Sequence, residues 1–120
     1  MGLFSWFGSS ETKSTEGLDN GIPKKTECYH VEGFLSCSYF TNAVQISDKL
    51  SAEHPNVKVD VSAYIQQQWA ERSRELQQEF NTSHRTSPFI YEGCEVGNQK
   101  LVGGYTDFAQ KIKATYKLSV

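Results

Sequence analysis

The 120 residues suit one small domain with a single hydrophobic core, because 38% of them are hydrophobic and only 22% are charged. A net charge of −2 and the lack of a basic, aromatic-rich stripe argue against a nucleic-acid-binding protein. The sequence also has no run of about 18 apolar residues, which argues against a transmembrane helix.

The three cysteines, Cys28, Cys37 and Cys94, are odd in number and scattered along the chain. Secreted domains held by disulfides usually carry an even and denser set, and the CxxC pairs common in zinc sites are missing. No basic and apolar secretory signal is recognisable at the N-terminus. We therefore expect a reducing compartment, with a cytoplasmic location, and no site for a metal ion of the usual zinc type.

Residues 1–27 are predicted to form a flexible polar tail with an aromatic N-terminus, and residues 28–120 the folded domain. Gly2 directly after Met1 permits myristoylation, but Trp6 occupies the position where a serine or threonine is expected. No basic cluster follows, so a membrane contact through this tail would be marginal. The alternative is a tail that packs against its own domain or against nothing.

The first half of the domain predicts a strand, a helix and a second strand. Residues 28–35 are rich in β-branched and aromatic side chains, which is typical of a strand. Between residues 39 and 54 the apolar side chains recur on one face of a helix, at Phe40, Ala43, Val44, Ile46 and Leu50. Residues 57–61 then alternate with a period of two, which indicates another strand.

The second half predicts a helix, two short strands and a last helix. Residues 63–81 form the first of these helices, with Ser62 as its N-cap and an apolar stripe at Ile65, Trp69, Leu76 and Phe80. At this spacing Trp69 is better explained by core packing than by ligand stacking. Strands at 89–91 and 100–102 and a helix at 106–116 complete the order βαβα–ββα, which predicts a mixed four-stranded sheet flanked by helices.

Cys37 is the candidate nucleophile because it lies where the first strand meets the first helix. The amide dipoles of a helix's first turn favour a thiolate over a thiol, and the thiolate is the reactive form. The alternative is a small buried hydrophobe, which is the commonest role of a single cysteine. The three histidines form no metal set with any cysteine at a recognisable spacing, and no Ser-His-Asp arrangement is visible.

Three motifs in this order resemble the glutaredoxin family: a cysteine opening the first helix, Thr-Ser-Pro before the third strand, and Gly-Gly-x-x-Asp before the last helix. The resemblance covers about residues 28–118 and implies a thioredoxin-like α/β fold. It also implies that Cys37 attacks glutathione mixed disulfides and that a second glutathione releases it. The matching glutathione-binding positions are Tyr39, Ser87, Pro88 as the cis-proline, Thr106 and Asp107.

The sequence also departs from the family pattern around the cysteine. Phe40 replaces the second cysteine, Ser38 replaces a proline, and Phe34 stands where the family usually carries a lysine that stabilises the thiolate. Intramolecular disulfide chemistry at this motif is excluded, and weak activity is expected. A polar contact from Arg85, Gln67 or Gln68 is an alternative to the missing lysine, and Cys94 is an alternative, distant resolving thiol.

Three functions remain open. The first is a monothiol glutathione-dependent oxidoreductase, whose partners are glutathione and glutathionylated proteins or small-molecule disulfides, acting as a monomer. The second is an iron–sulfur carrier, in which Cys37 and glutathione bridge a [2Fe–2S] cluster between two protomers. The third is a binding module that keeps the fold and uses the weakened site, or the aromatic tail, to dock a partner.

Overall fold

A mixed four-stranded sheet with helices on both faces forms the domain. The computed structural model describes residues 25–119, and the predictions for the N-terminal tail, including the membrane contact, fall almost entirely outside that range. The elements, in chain order, are β1 Glu27–Phe34, α1 Ser38–Glu53, β2 Val57–Tyr64, α2 Gln66–Phe80, β3 Phe89–Glu92, β4 Lys100–Gly103 and α3 Tyr105–Tyr116. The strand order is β2-β1-β3-β4, with β1 parallel to β2 and antiparallel to β3. The predicted order and mixed sheet are confirmed.

The alternation of side chains along β3 separates two hydrophobic clusters. Ile90 faces a first cluster that α1 and α3 cover, built mainly of Tyr29, Val31, Phe40, Ala43, Ile46, Leu50, Val57, Phe108 and Ile112. Phe89 and Tyr91 face a second cluster on the other side of the sheet, where Trp69 and Leu76 of α2 cover them. Trp69 is buried there, so its predicted role in core packing is confirmed.

The boundary between β2 and α2 differs from the prediction. β2 pairs with β1 along its whole length, from the Glu27–Val57 partners to the Phe34–Tyr64 partners. The strand therefore runs through Ser62, and Ile65 instead of Ser62 is the N-cap of α2. The Ser62 cap was wrong because parallel pairing with a full neighbouring strand extends β2 beyond its alternating segment. Ile65 is 51% exposed instead of buried.

A buried carboxylate connects α2 to the sheet. Glu32 of β1 is 3% exposed, and its two oxygens accept hydrogen bonds from Arg72 at 2.8 and 2.9 Å, Tyr64 at 2.8 Å and Tyr91 at 2.6 Å. Burial alone would raise the pKa of Glu32, but the hydrogen bonds from Arg72, Tyr91 and Tyr64 together outweigh it and lower that pKa. The pKa of Tyr91 is raised, mainly by burial and then by its hydrogen bond to Glu32. The carboxylate is thus ionised and fully paired.

A disulfide joins Cys28, at the start of β1, to Cys94, in the loop between β3 and β4. The two residues are 66 positions apart in the sequence, and their Cα atoms are 4.9 Å apart. The suggestion that Cys94 acts as a resolving thiol for Cys37 is wrong for this structure, because its sulfur is already bonded to Cys28. Within the described part of the chain, none of the helices is long and apolar enough to cross a membrane.

Candidate functional site

Cys37 is held at the entrance of α1 by a short turn at the end of β1. Its amide donates to the carbonyl of Phe34 at 3.1 Å, and its own carbonyl accepts the first helical hydrogen bond, from the amide of Thr41 at 3.1 Å. Cys37 is therefore the N-cap of α1. Its half-buried Sγ donates to the carbonyl oxygen of Ser87 at 3.4 Å. Cys37 thus lies between the start of α1 and the segment before β3, and its sulfur contacts that segment without capping the helix amides.

The segment before β3 is fixed against β1 beside this sulfur. The hydroxyl of Ser87 accepts a hydrogen bond from the amide of Phe34 at 3.1 Å. The peptide bond between Ser87 and Pro88 is cis, as the family resemblance implies, and Pro88 is fully buried. The backbone of Ser87 is consequently held in place next to Cys37.

The third motif forms the start of α3. The side chain of Asp107 accepts a hydrogen bond from the amide of Gly104 at 3.2 Å and closes the first turn. Gly103 has a φ of 128°, and a β-carbon there would collide with the Asp107 carboxylate, so only glycine fits. Thr106 and Asp107 are exposed, and the first helical hydrogen bond runs from Phe108 to Gly104. The amides of residues 105–107 therefore have no partner within the helix.

The three motifs meet at the end of the sheet where β1 and β2 terminate. The rings of Tyr39, at the start of α1, and Tyr105, at the start of α3, have their centres 6.0 Å apart. A β-carbon added at Gly104 would lie 3.8 Å from the carbonyl oxygen of Pro88. The structure thus places all the predicted site residues in one region.

His84 belongs to the same region, although in the sequence it is only an isolated histidine in a loop. Its Nε2 atom lies 3.4 Å from the carbonyl oxygen of Pro88, and its ring packs on Phe89 with a centroid distance of 5.3 Å. A β-carbon at Gly104 would come within 3.3 Å of the same ring. His84 therefore fills the space between the cis-proline segment and the start of α3.

The two phenylalanines that depart from the family pattern are both structural. Phe40 is 4% exposed and packs in the first cluster, and its ring lies directly against Gly33, where a β-carbon would collide with it. Phe34 is half-buried and packs against the second cluster. The polar residues considered as substitutes for the missing lysine, Arg85, Gln67 and Gln68, are exposed.

Exposed apolar side chains lie close to Cys37 in the sequence or at the same end of the sheet. Leu35 is 62% exposed and Tyr39 is 59% exposed, on either side of Cys37 in the sequence. Ile65 lies at the same end of the sheet, since the amide of Leu35 donates to the carbonyl of Tyr64 at 2.9 Å. Within residues 25–119, no group of three or more histidine, cysteine, aspartate or glutamate side chains is placed to hold a metal ion. The donor set around Cys37 is a single sulfur.

Comparisons with known proteins give a family and a fold. Residues 28–120 match the family model described as the putative malate dehydrogenase 1B N-terminal domain. No curated protein sequence matches the chain.

Solved structures that resemble the chain are glutaredoxins. The reduced glutaredoxin of Escherichia coli shares 25% identity with a TM-score of 0.59, and a second structure of the Escherichia coli protein shares 27% with a TM-score of 0.55; each match covers 76% of this chain and 99% of the other. Glutaredoxin 1 of Francisella tularensis, complexed with cacodylate, shares 16% with a TM-score of 0.58, over 78% of this chain and all of the other. The thioredoxin-like fold is confirmed.

Proposed function

The chain belongs to the family of the putative malate dehydrogenase 1B N-terminal domain, and we propose that this member is a glutathione-dependent thiol–disulfide oxidoreductase acting through Cys37 alone. The observation that carries the proposal is the position of the Cys37 sulfur. It is the one free thiol among the described residues, it belongs to the N-cap residue of α1, and it lies 3.4 Å from the carbonyl oxygen of the residue before a cis-proline. The glutaredoxin structures that resemble the chain support this assignment of chemistry.

The proposed reaction proceeds by two exchanges at one sulfur. The Cys37 thiolate attacks the glutathionyl sulfur of a mixed disulfide, and the substrate's thiolate leaves and takes up a proton from solvent. Cys37 then carries the glutathionyl group. The thiolate of a second glutathione attacks that group, forms oxidised glutathione and restores the Cys37 thiolate. Over the two exchanges, one free glutathione reduces the mixed disulfide, the substrate's glutathionyl group becomes the other half of the oxidised glutathione, and no second protein thiol is needed.

The surrounding residues would hold the glutathionyl group. The backbone of Ser87 would pair with its cysteinyl part beside Pro88, and the ring of Tyr39 would flank the tripeptide. The amides at the start of α3, including that of Thr106, suit the carboxylate of the γ-glutamyl end. The carboxylate of Asp107 suits the ammonium group of the γ-glutamyl end. Asp107 is exposed, and the hydrogen bond from Gly104 to one of its oxygens holds the carboxylate at the start of α3.

Phe34 makes the proposed enzyme a weak one. A cation at this position would stabilise the thiolate and bind the glycyl carboxylate, and an aromatic ring in the second cluster does neither. The substrates would be glutathionylated proteins or small mixed disulfides. We place the reaction in the cytoplasm, because it consumes reduced glutathione.

The test is a reduction assay with a small mixed disulfide of glutathione, in which glutathione reductase reports the oxidised glutathione formed. The unaltered chain is expected to turn over and to carry one glutathionyl group by intact mass, whereas Cys37→Ser is expected to do neither. Asp107→Asn should raise the KM for glutathione more than it lowers kcat. Full turnover by the folded Cys37→Ser variant would contradict the proposal.

A second candidate is a docking module. Two observations favour it: the exposed apolar side chains Leu35, Tyr39 and Ile65 beside Cys37, and a family description that names the N-terminal domain of a putative dehydrogenase. If the surface serves docking, Leu35→Ser should abolish partner binding while glutathionylation of Cys37 persists. A [2Fe–2S] cluster bridged by Cys37 and glutathione of two protomers would need only this one sulfur per chain, but nothing in the described residues favours it over the exchange reaction.

A further inference from the structure

The Cys28–Cys94 disulfide lies in an open cleft at the opposite end of β1 from Cys37. The cleft has a volume of about 520 Å³, and its walls are the start of β1, the loop after β3 and the inner side of α3. Phe34 lies six positions after Cys28 along the extended strand, a distance of about 20 Å at about 3.3 Å per residue. Cys37 follows that strand end, so the two sulfur sites cannot exchange electrons directly.

The two cysteines of the pair are not equally exposed. Cys94 is exposed in its loop, whereas Cys28 is half-buried in the sheet. An attacking thiolate must reach a sulfur along the axis of the bond and expel the other one. The accessible target is therefore Cys94, and Cys28 is the leaving thiolate.

The loop that carries Cys94 is anchored independently of the disulfide. The amide of Gly93 donates to the carbonyl of Cys28 at 2.9 Å, and the side-chain amide of Gln99 donates to the carbonyl of Gly93 at 3.3 Å. Neither bond involves a sulfur atom, so opening the disulfide breaks neither of them. We therefore expect Cys28 and Cys94 to remain neighbours in the reduced protein, as reversible chemistry requires.

This proximity decides which reductant works. A monothiol that attacks Cys94 leaves a mixed disulfide beside the freed Cys28 thiolate, whose Cα lies 4.9 Å from that of Cys94 in the closed pair. Cys28 then expels the monothiol again, because an adjacent group reacts at a high effective concentration. A dithiol escapes this reversal, since its own second thiol attacks the mixed disulfide first.

The charges around the cleft also favour a dithiol over glutathione as the reductant. Its walls carry Lys25 and Lys111 against Glu27, Glu92 and Glu95, a net charge of −1, and Lys111 is already paired with Glu92 at 3.0 Å. Glutathione is an anion even before its thiol ionises, so this cleft disfavours its approach relative to that of a neutral dithiol.

We propose that Cys28–Cys94 is a second redox site, reduced by a dithiol and not by glutathione, with Cys94 as the sulfur attacked. The thiolate of the dithiol bonds to Cys94, and Cys28 leaves and takes up a proton. The second thiol of the reductant, as its thiolate, then displaces Cys94, which is protonated in turn. The protein gains two electrons and two protons, and the reductant becomes a disulfide. Its biological source would be a protein with a reactive pair of cysteines.

The test uses the Cys37→Ser chain, so that it does not depend on glutathione chemistry at Cys37. The oxidised, folded protein is incubated with dithiothreitol or with glutathione at equal thiol concentration, alkylated with iodoacetamide and analysed by mass spectrometry. Dithiothreitol should lead to alkylation of both Cys28 and Cys94 without loss of the far-ultraviolet circular dichroism. Glutathione should leave the pair almost fully closed.

Several results would overturn the proposal. A pair that is alkylated only in denaturant is a structural bond, and a pair that is alkylated without reductant is not bonded in solution. Equal reduction by glutathione would refute the choice of reductant. The single variants test the direction of attack: Cys94 in Cys28→Ser should be alkylated severalfold faster than Cys28 in Cys94→Ser, and equal rates would refute Cys94 as the target.

Discussion

A cysteine lies at or just beyond each end of β1, but one is a free thiol and the other is in a disulfide. At the C-terminal end, the position one helical turn after Cys37 holds a buried phenylalanine, Phe40, and among the described residues the thiol forms no disulfide. At the N-terminal end, Cys28 finds its partner in a loop 66 residues away in sequence. The difference shows that a partner's position in the fold decides the chemistry of a cysteine more than its position in the motif.

Removing the bond at the N-terminal end should have the largest effect on stability. A disulfide that closes a loop of this length stabilises the native state by about 4 kcal/mol, largely by restricting the unfolded chain. Cys94→Ser should therefore lower the free energy of unfolding in urea by about that amount. The loss should disappear when both proteins are measured in dithiothreitol; a difference that persists there would assign the effect to packing.

Removing the buried carboxylate of Glu32, in the middle of β1, should have the second-largest effect on the free energy of unfolding. Glu32→Ala leaves the guanidinium of Arg72 and the hydroxyl of Tyr91 without their acceptor, which should cost about 3 kcal/mol in urea unfolding. Glu75 is a matched control, because it pairs with the same arginine at 3.0 Å but is exposed. Glu75→Gln should change stability by less than about 0.5 kcal/mol. Similar losses in the two variants would contradict the assignment.

The same carboxylate sets part of the stability in acid. The pKa of Glu32 is lowered in the fold from its ordinary value of 4.5, so the unfolded state binds the proton more tightly. The stability it contributes is present above pH 4.5 and is lost as the pH falls through the lower pKa of the folded state. An unfolding series from neutral pH to pH 3 should show this loss in the unaltered chain and a shallower one in Glu32→Gln.

The smallest expected effect is on the reactivity of Cys37, at the C-terminal end of β1. Phe34→Lys would add a cation at the residue whose carbonyl accepts the Cys37 amide, and an interaction of about 1 kcal/mol with the thiolate would correspond to a rate about fivefold higher. The measurement is alkylation of Cys37 by iodoacetamide at neutral pH. Phe34→Met is the control, since it removes the ring without adding charge, and an equal acceleration in both variants would assign the effect to loosened packing.

The order of the elements was predictable because the chain alternates clearly between periods of two and of about 3.6 residues. The site residues were predictable only through their resemblance to a family, and the structure brings Cys37, Ser87, Pro88 and Asp107 into one region. The start of α2 was missed at Ser62, because the pairing of β2 with β1 is a long-range interaction that local sequence does not contain.

The hydrogen-bond partners of Glu32 and the Cys28–Cys94 disulfide were not predictable for a related reason. The partners of Glu32 lie 32, 40 and 59 positions away, on three different elements. The disulfide likewise depends on the register that places the start of β1 beside the loop after β3. Spacing within the sequence carries no signal for either, whereas the fold makes both evident at once.

The packing of Phe40 against Gly33 has a consequence for any attempt to rebuild a two-cysteine active site. The side chain at this position points into the core, and the backbone of Gly33 lies directly against its ring. A cysteine introduced there would leave most of the space now filled by the ring empty, and such a cavity in the core lowers stability. We therefore expect Phe40→Cys to destabilise the protein rather than to give it a working two-cysteine site. The hydrophobic core itself keeps the chemistry at this end to one sulfur.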